Sequence, residues 1–328
     1  VKTFEYERAT SVRSALTSLG TPGTKPLAGG TNLVDLLKLG VERPDLLVDI
    51  NRLDFGGIEP TDDGGLLIGA GVRNSDLAAD LLVRTRFPLL AKALLSAASG
   101  QLRNMASTGG NLLQRTRCTY FMDTTKPCNK RDPGSGCPAI PGASRELGIL
   151  GVSNDCIATH PGDMAVALTA LGAIIHVDTL DGPTSFEIGE FYRLPGADPT
   201  RDTNLPAGAL ITAVEIPGLP FGAVSTYRKA RDRASYAFGL VTVAAALDVE
   251  DGIVRDVRIA LGGVSHKPWR ASIAEESLRG KLVTARSFEA AADAELAAAT
   301  PTEQNAFKVA LAKRMLVGTL HELAGGHE

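Results

Sequence analysis

The chain has 328 residues, enough for two or three compact units with cores of their own. Hydrophobic residues make up 44% and the net charge is −3, an ordinary globular composition with no general attraction to nucleic acid. No apolar run reaches the roughly 18–20 residues of a membrane span. The opening Val1-Lys2-Thr3-Phe4-Glu5-Tyr6 lacks the apolar segment of a secretion signal, so the expected compartment is the cytoplasm.

The first predicted element is a short helix capped by Thr10, with Val12, Ala15, Leu16 and Leu19 on one face and Gly20 at its end. Leu27-Ala28-Gly29-Gly30-Thr31-Asn32 follows, read as a strand end, a glycine turn and the start of a helix reaching Leu39. With a strand over 45–50 this makes a minimal βαβ unit. Gly29 and Gly30 permit φ > 0 and a close backbone approach, and successive amides there can cradle an anion such as a pyrophosphate. A plain tight turn is the simpler reading of one Gly-Gly pair. A strand over 66–72, a helix capped by Asn74 or Ser75 and a helix over 88–99 come next. They lead to a second pair in Ser107-Thr108-Gly109-Gly110-Asn111.

All four cysteines lie in one insert, residues 114–160, spaced Cys118-x9-Cys128-x8-Cys137-x18-Cys156. Pro127, Pro133, Gly134, Gly136, Pro138, Pro141 and Gly142 deny this stretch long helices or strands. A cytosolic chain seldom keeps structural disulfides, so four clustered cysteines read as metal ligands, with binding energy ordering the loop. Arg115, Arg117, Lys126, Lys130 and Arg131 are expected to lower the thiol pKa values. Structural zinc usually pairs its ligands as C-x2–4-C, whereas an iron–sulfur cluster tolerates wide spacing; on spacing both remain open, as does a non-metal role. His160 is left out of the set.

Asp163 precedes an apolar helix over 165–173, as a cap or as a ligand contact, and a strand over 173–177 follows. Residues 209–216 form a strand ended by Pro217-Gly218, where a domain boundary is placed. The expected domains are 1–218 and 219–328. In the second, strands over 225–230, 239–249 and 253–264, the last two joined by an Asp251-Gly252 hairpin, form a three-stranded antiparallel sheet with one wet face. Helices over 287–299 and from a Thr300-Pro301-Thr302-Glu303 cap to about Leu323 close the chain.

Leu27 to Asn32 and Ser107 to Asn111 resemble the two flavin-binding loops of the medium subunit in the xanthine dehydrogenase and carbon monoxide dehydrogenase family. Pro161-Gly162-Asp163, Ala209-Leu210-Ile211-Thr212 and Tyr227-Arg228-Lys229-Ala230 resemble its later segments, in order. The cysteine insert is similar to that of bacterial aldehyde oxidoreductase FAD subunits that carry a [4Fe-4S] cluster. The flavin subunit of 4-hydroxybenzoyl-CoA reductase is similar in having an extra cluster.

The resemblance implies an α+β fold: a PCMH-like FAD domain of two α/β subdomains, then the antiparallel sheet with helices. It implies that Leu27, Ala28, Gly29, Gly30, Thr31, Asn32, Ser107, Gly109, Gly110 and Asn111 hold the FAD diphosphate. Asp163 would bond a ribose or ring-edge group, Ile211 would meet the nucleotide or ring, and Lys229 would sit at the flavin pyrimidine end. Cys118, Cys128, Cys137 and Cys156 would each ligate one iron. The implied partners are a large molybdenum-cofactor subunit, a small [2Fe-2S] subunit and an external electron acceptor. No catalytic residue is expected in this chain. A partner's export signal would instead imply the periplasm. The alternatives are a self-contained flavin oxidase of the vanillyl-alcohol type and a zinc-stabilised scaffold.

Overall fold

The computed structural model describes residues 1–325. The chain forms three sheets. The first is parallel, ordered β1-β3-β2, from β1 (Glu5–Arg8), β2 (Thr24–Leu27) and β3 (Leu46–Asp49). Helix Val12–Leu19 is capped by Ser11 in a capping box with Ser14, one residue past the expected Thr10. Helix Leu33–Leu39 ends at Gly40 with φ 73°. The two helices supply the crossovers that parallel strands need, and β2–helix–β3 is the expected βαβ unit.

The second sheet is antiparallel: β4 (Ile58–Pro60), β5 (Leu66–Gly69), β6 (Ile174–Thr179), β7 (Gly182–Glu187) and β8 (Leu210–Ile216), ordered β4-β5-β8-β6-β7. The edge strands β4 and β7 were not expected; both are largely exposed and carry too little apolar alternation to read as strands. Helix Asp163–Leu171 has all nine residues buried, because DMAVALTAL is apolar nearly all round and must be covered on every side.

The covering comes partly from the third sheet: β9 (Ser225–Ala230), β10 (Val241–Glu250), β11 (Ile253–Gly262) and β12 (Trp269–Arg270), all antiparallel, ordered β12-β11-β10-β9. The expected three strands gain β12, whose two residues are too short to leave a sequence pattern. The β10–β11 turn is the expected Asp251-Gly252 hairpin, with φ 52° and 73°.

The expectation of one wet face is corrected. Val241 to Leu247 are buried without a break. Val243, Ala245 and Leu247 pack with the apolar residues of helices Ala285–Leu296 and Phe307–Leu323. Ala244, Ala246 and Ala260 pack instead with Val166 and Ala170 of helix Asp163–Leu171. Alanine on that face lets the helix come close. The unanticipated helix Ser272–Leu278 completes the third unit. No helix among the described residues is long and apolar enough to cross a membrane.

Candidate functional site: a nucleotide cleft beside a four-cysteine pocket

The two glycine loops touch. A Cβ on Gly29 would lie 1.9 Å from Met105 O, so only glycine permits this approach, and Gly30 adopts φ 71°. Arg73 and Asn51 tie the loops together. Arg73 Nη1 donates to Met105 O (2.6 Å) and Nη2 to Asn51 Oδ1 (3.0 Å), while Asn51 Nδ2 donates to Ala28 O (2.9 Å). Neither residue stood in a motif; they meet across 22 positions, a distance that leaves no local signal.

Between the loops opens a cleft of about 1120 Å³. Ala28, Gly29, Gly30, Thr31, Asn32, Ser107, Gly109, Gly110 and Ile211 line it, with Arg73, Arg115, Tyr192 and Asp202. Its volume lies at the top of the usual few hundred to about 1,000 Å³ of a small-molecule site. The loops differ in what they offer. Among the described residues, the amides of Gly29, Gly30, Thr31 and Asn32 donate to no protein acceptor. In the second loop Gly109 N donates to Ala70 O (2.9 Å), Asn111 N to Ser107 O (2.8 Å) and Gly110 N to Ser107 Oγ (3.3 Å). The first loop therefore presents amides without a protein partner, and in the second Gly109 and Gly110 present backbone with no side chain.

Four expected residues are not on the wall. Leu27 ends β2. Asn111 turns its Oδ1 to Gln114 Nε2 (2.9 Å). Asp163 lies in the first turn of its helix but caps nothing; Gly162 holds the N-cap position. Its carboxylate accepts from Tyr227 OH (2.6 Å) and from Lys229 Nζ (2.8 Å), both reaching in from β9. The Asp163 and Lys229 side chains are 6% and 4% exposed. Burial and the adjacent Asp163 charge push the Tyr227 hydroxyl pKa far up. Asp163 instead borders a second cavity of about 250 Å³, with Arg117, Cys118 and His160. His160 is a buried packing residue: its Nδ1 accepts from Gly162 N (3.1 Å), its ring stands edge-on to Tyr192 at 4.8 Å, and burial lowers its pKa to about 4.

The insert contains only the short helix Thr119–Met122. It builds a small core of its own, where Phe121, Ala139, Leu147 and Ile157 pack with Leu36. Cys118, Cys128, Cys137 and Cys156 are all free thiols and line one pocket. For Cys156 and Cys118 the expected lowering of the pKa is corrected: burial pushes Cys156 up to about 12, against the opposing charge of Lys130, and Cys118 up as well. The cations look elsewhere. Arg115 Nε and Nη1 donate to Asp202 Oδ2 and Glu42 Oε1 (both 2.9 Å), and Lys130 Nζ donates to Asp202 Oδ1 (2.5 Å) and Pro199 O (2.7 Å). Burial opposes the charge of Asp202, yet Lys130 and Arg115 hold its pKa down to about 2.

Four thiols on one pocket are ligands of the type that both zinc and iron–sulfur clusters use. One tetrahedral zinc with Zn–S near 2.3 Å brings its sulfurs within about 4 Å of each other. Among the described residues no three His, Cys, Asp or Glu side chains are grouped to hold one ion. Four soft thiols around a common pocket match the ligand chemistry of a cubane, which spreads its ligands over four irons.

Residues 2–219 match the FAD binding domain in molybdopterin dehydrogenase, and residues 225–323 the CO dehydrogenase flavoprotein C-terminal domain. The chain belongs to the family of FAD-binding medium subunits of the xanthine dehydrogenase and CO dehydrogenase type. It is 52% identical to the aldehyde oxidoreductase FAD-binding subunit PaoB of Escherichia coli (strain K12), covering 98% of each chain. It is 33% identical to the glyceraldehyde dehydrogenase medium chain of Sulfolobus acidocaldarius, over 85% of this chain and 82% of that one. The carbon monoxide dehydrogenase structure from Hydrogenophaga pseudoflava superposes with a TM-score of 0.77, covering 99% of both chains at 26% identity.

Proposed function

We propose that this chain is the FAD- and [4Fe-4S]-binding electron-transfer subunit of a molybdenum-containing oxidoreductase that acts on aldehydes. It would work beside a large molybdenum-cofactor subunit and a small [2Fe-2S] subunit and deliver electrons to an external acceptor. Two relatives named for aldehyde chemistry, one a subunit and one a medium chain, favour this substrate class and a multi-chain assembly. FAD, when bound, supplies the exchange between single-electron and paired-electron carriers.

The observation that carries the reading is the first glycine loop. Four amides without a protein partner border a cleft of about 1120 Å³, with Gly109 and Gly110 also on its lining. Gly29 to Asn32 would bind the diphosphate, and Ser107, Gly109 and Gly110 would let it approach the second loop. Asn111 would act through Gln114. Ile211 would pack on the nucleotide, and the Asp163–Tyr227–Lys229 set would offer a fixed charged edge behind the cleft. The four cysteines would hold the cluster as thiolates, releasing their protons on loading.

Absorption spectroscopy of the purified protein tests this. Flavin bands and a broad iron–sulfur absorption, both bleached by dithionite, are expected. A colourless protein carrying zinc would end the redox reading.

A further inference from the structure

Asp202 stands between the two sites. It lines the nucleotide cleft together with Arg115 and Glu42. On its other side it accepts from Lys130, which lines the four-cysteine pocket with a side chain only 1% exposed. Arg115 is fully engaged by Asp202, Glu42 and Thr200 O. Lys130 is therefore the cation presented to the thiol pocket, and Asp202 is the carboxylate that fixes and partly cancels it. The pair has no exit to solvent on the Lys130 side, so its field is poorly screened.

We propose that Lys130 and Asp202 are positioning residues that set the electron affinity of the group held by Cys118, Cys128, Cys137 and Cys156, with opposite signs. The inference rests on the cluster reading given above. A cluster bound by four thiolates gains one negative charge on reduction. A buried ammonium beside it favours the reduced form, and a half-buried carboxylate opposes it; net charge and surroundings are what tune such centres. Lys130→Met removes the positive charge and leaves Asp202 paired with Arg115, so the cluster becomes harder to reduce. Asp202→Asn leaves Lys130 uncompensated, so it becomes easier to reduce. Mere loosening of the insert would move both variants the same way.

The test is a redox titration of the purified complex, read by the electron paramagnetic resonance signal of the reduced cluster, with iron and flavin content measured in each sample. Lys130→Met should shift the reduced-to-oxidised ratio at fixed potential about tenfold toward oxidised, 59 mV for a one-electron centre. Asp202→Asn should shift it toward reduced. Lys130→Arg, which keeps the charge, should restore the wild-type value, and Lys130→Met should retain its flavin because Lys130 does not line the cleft. Shifts of the same sign, or a Lys130→Met potential equal to wild type, overturn the proposal even if Asp202→Asn fails to load iron. A wild-type complex without iron in this chain overturns the cluster reading itself, and the proposal with it.

Discussion

Replacing Asp163 by asparagine exposes how the seam between the β9–β12 unit and the rest of the chain is held. The Asp163 carboxylate is the counter-charge of Lys229, and both side chains are nearly sealed from water. At 2.8 Å the attraction is on the order of 6 kcal/mol with an effective dielectric of about 20, most of it offset by the desolvation of both groups. In Asp163→Asn the new side-chain amide could still accept from Tyr227 through its oxygen, but it would turn an NH2 donor toward the ammonium. Lys229 would keep only Ser96 O, at 3.3 Å. Removing one partner of a buried pair costs about 3–5 kcal/mol. At about 2 °C per kcal/mol, the melting midpoint falls by roughly 6–10 °C.

Urea unfolding followed by the fluorescence of Trp269, the sole tryptophan, reads the loss in the unit that carries Lys229. Asp163→Asn with Lys229→Met should recover most of the stability, because no buried charge is then left alone. A single-variant loss below about 1 kcal/mol, or a Lys229→Met cost unchanged by Asp163→Asn, refutes the reasoning.

Gly29→Ala places a methyl 1.9 Å from Met105 O, a backbone atom that cannot swing aside, so the loops must part. Flavin content should fall at least tenfold while the third unit stays folded; full flavin retention would show that the loop contact is dispensable. Cys137→Ser should lose most iron but keep flavin, measured by metal and FAD analysis of the same sample, and unchanged iron would remove Cys137 from the ligand set. Lys308 donates from a buried position to Leu147 O (2.9 Å) and Gly263 O (2.7 Å), and burial lowers its pKa from the usual 10.5 to about 7. Between those two values the unfolded chain binds more protons, so this group makes stability rise with pH across the window and fall toward neutrality. Lys308→Met should flatten that slope in urea midpoints taken across the window; an identical slope would show that Lys308 stays charged.

Much of the site was legible because it is local. The first Gly-Gly pair marks a place where a Cβ is excluded at Gly29 and a positive φ is needed at Gly30, and four cysteines in one proline-broken stretch announce a shared pocket. What stayed hidden depends on contacts far apart in sequence. Arg73 and Asn51 carry no motif, and Asp202 is joined to Arg115 and Lys130 across 87 and 72 positions. Asp163 reads as a helix cap, since nothing near it foretells that Tyr227 and Lys229 arrive from β9. The wet face assigned to the last sheet failed for a related reason: Ala244, Ala246 and Ala260 look neutral by alternation, and only helix Asp163–Leu171 shows that small size, not polarity, was required there. The cations around the cysteines misled in part: Arg115 turns to Asp202 and Glu42, Arg131 turns to backbone carbonyls, and Lys130 lines the thiol pocket with its charge shared with Asp202.

The most direct measurement is an experimental structure of the FAD-loaded complex at a resolution that shows the diphosphate. The account predicts phosphate oxygens within hydrogen-bond reach of the Gly29 to Asn32 amides, with the Gly109 and Gly110 backbone against the same group. A diphosphate seated elsewhere, with those amides facing water, would contradict it.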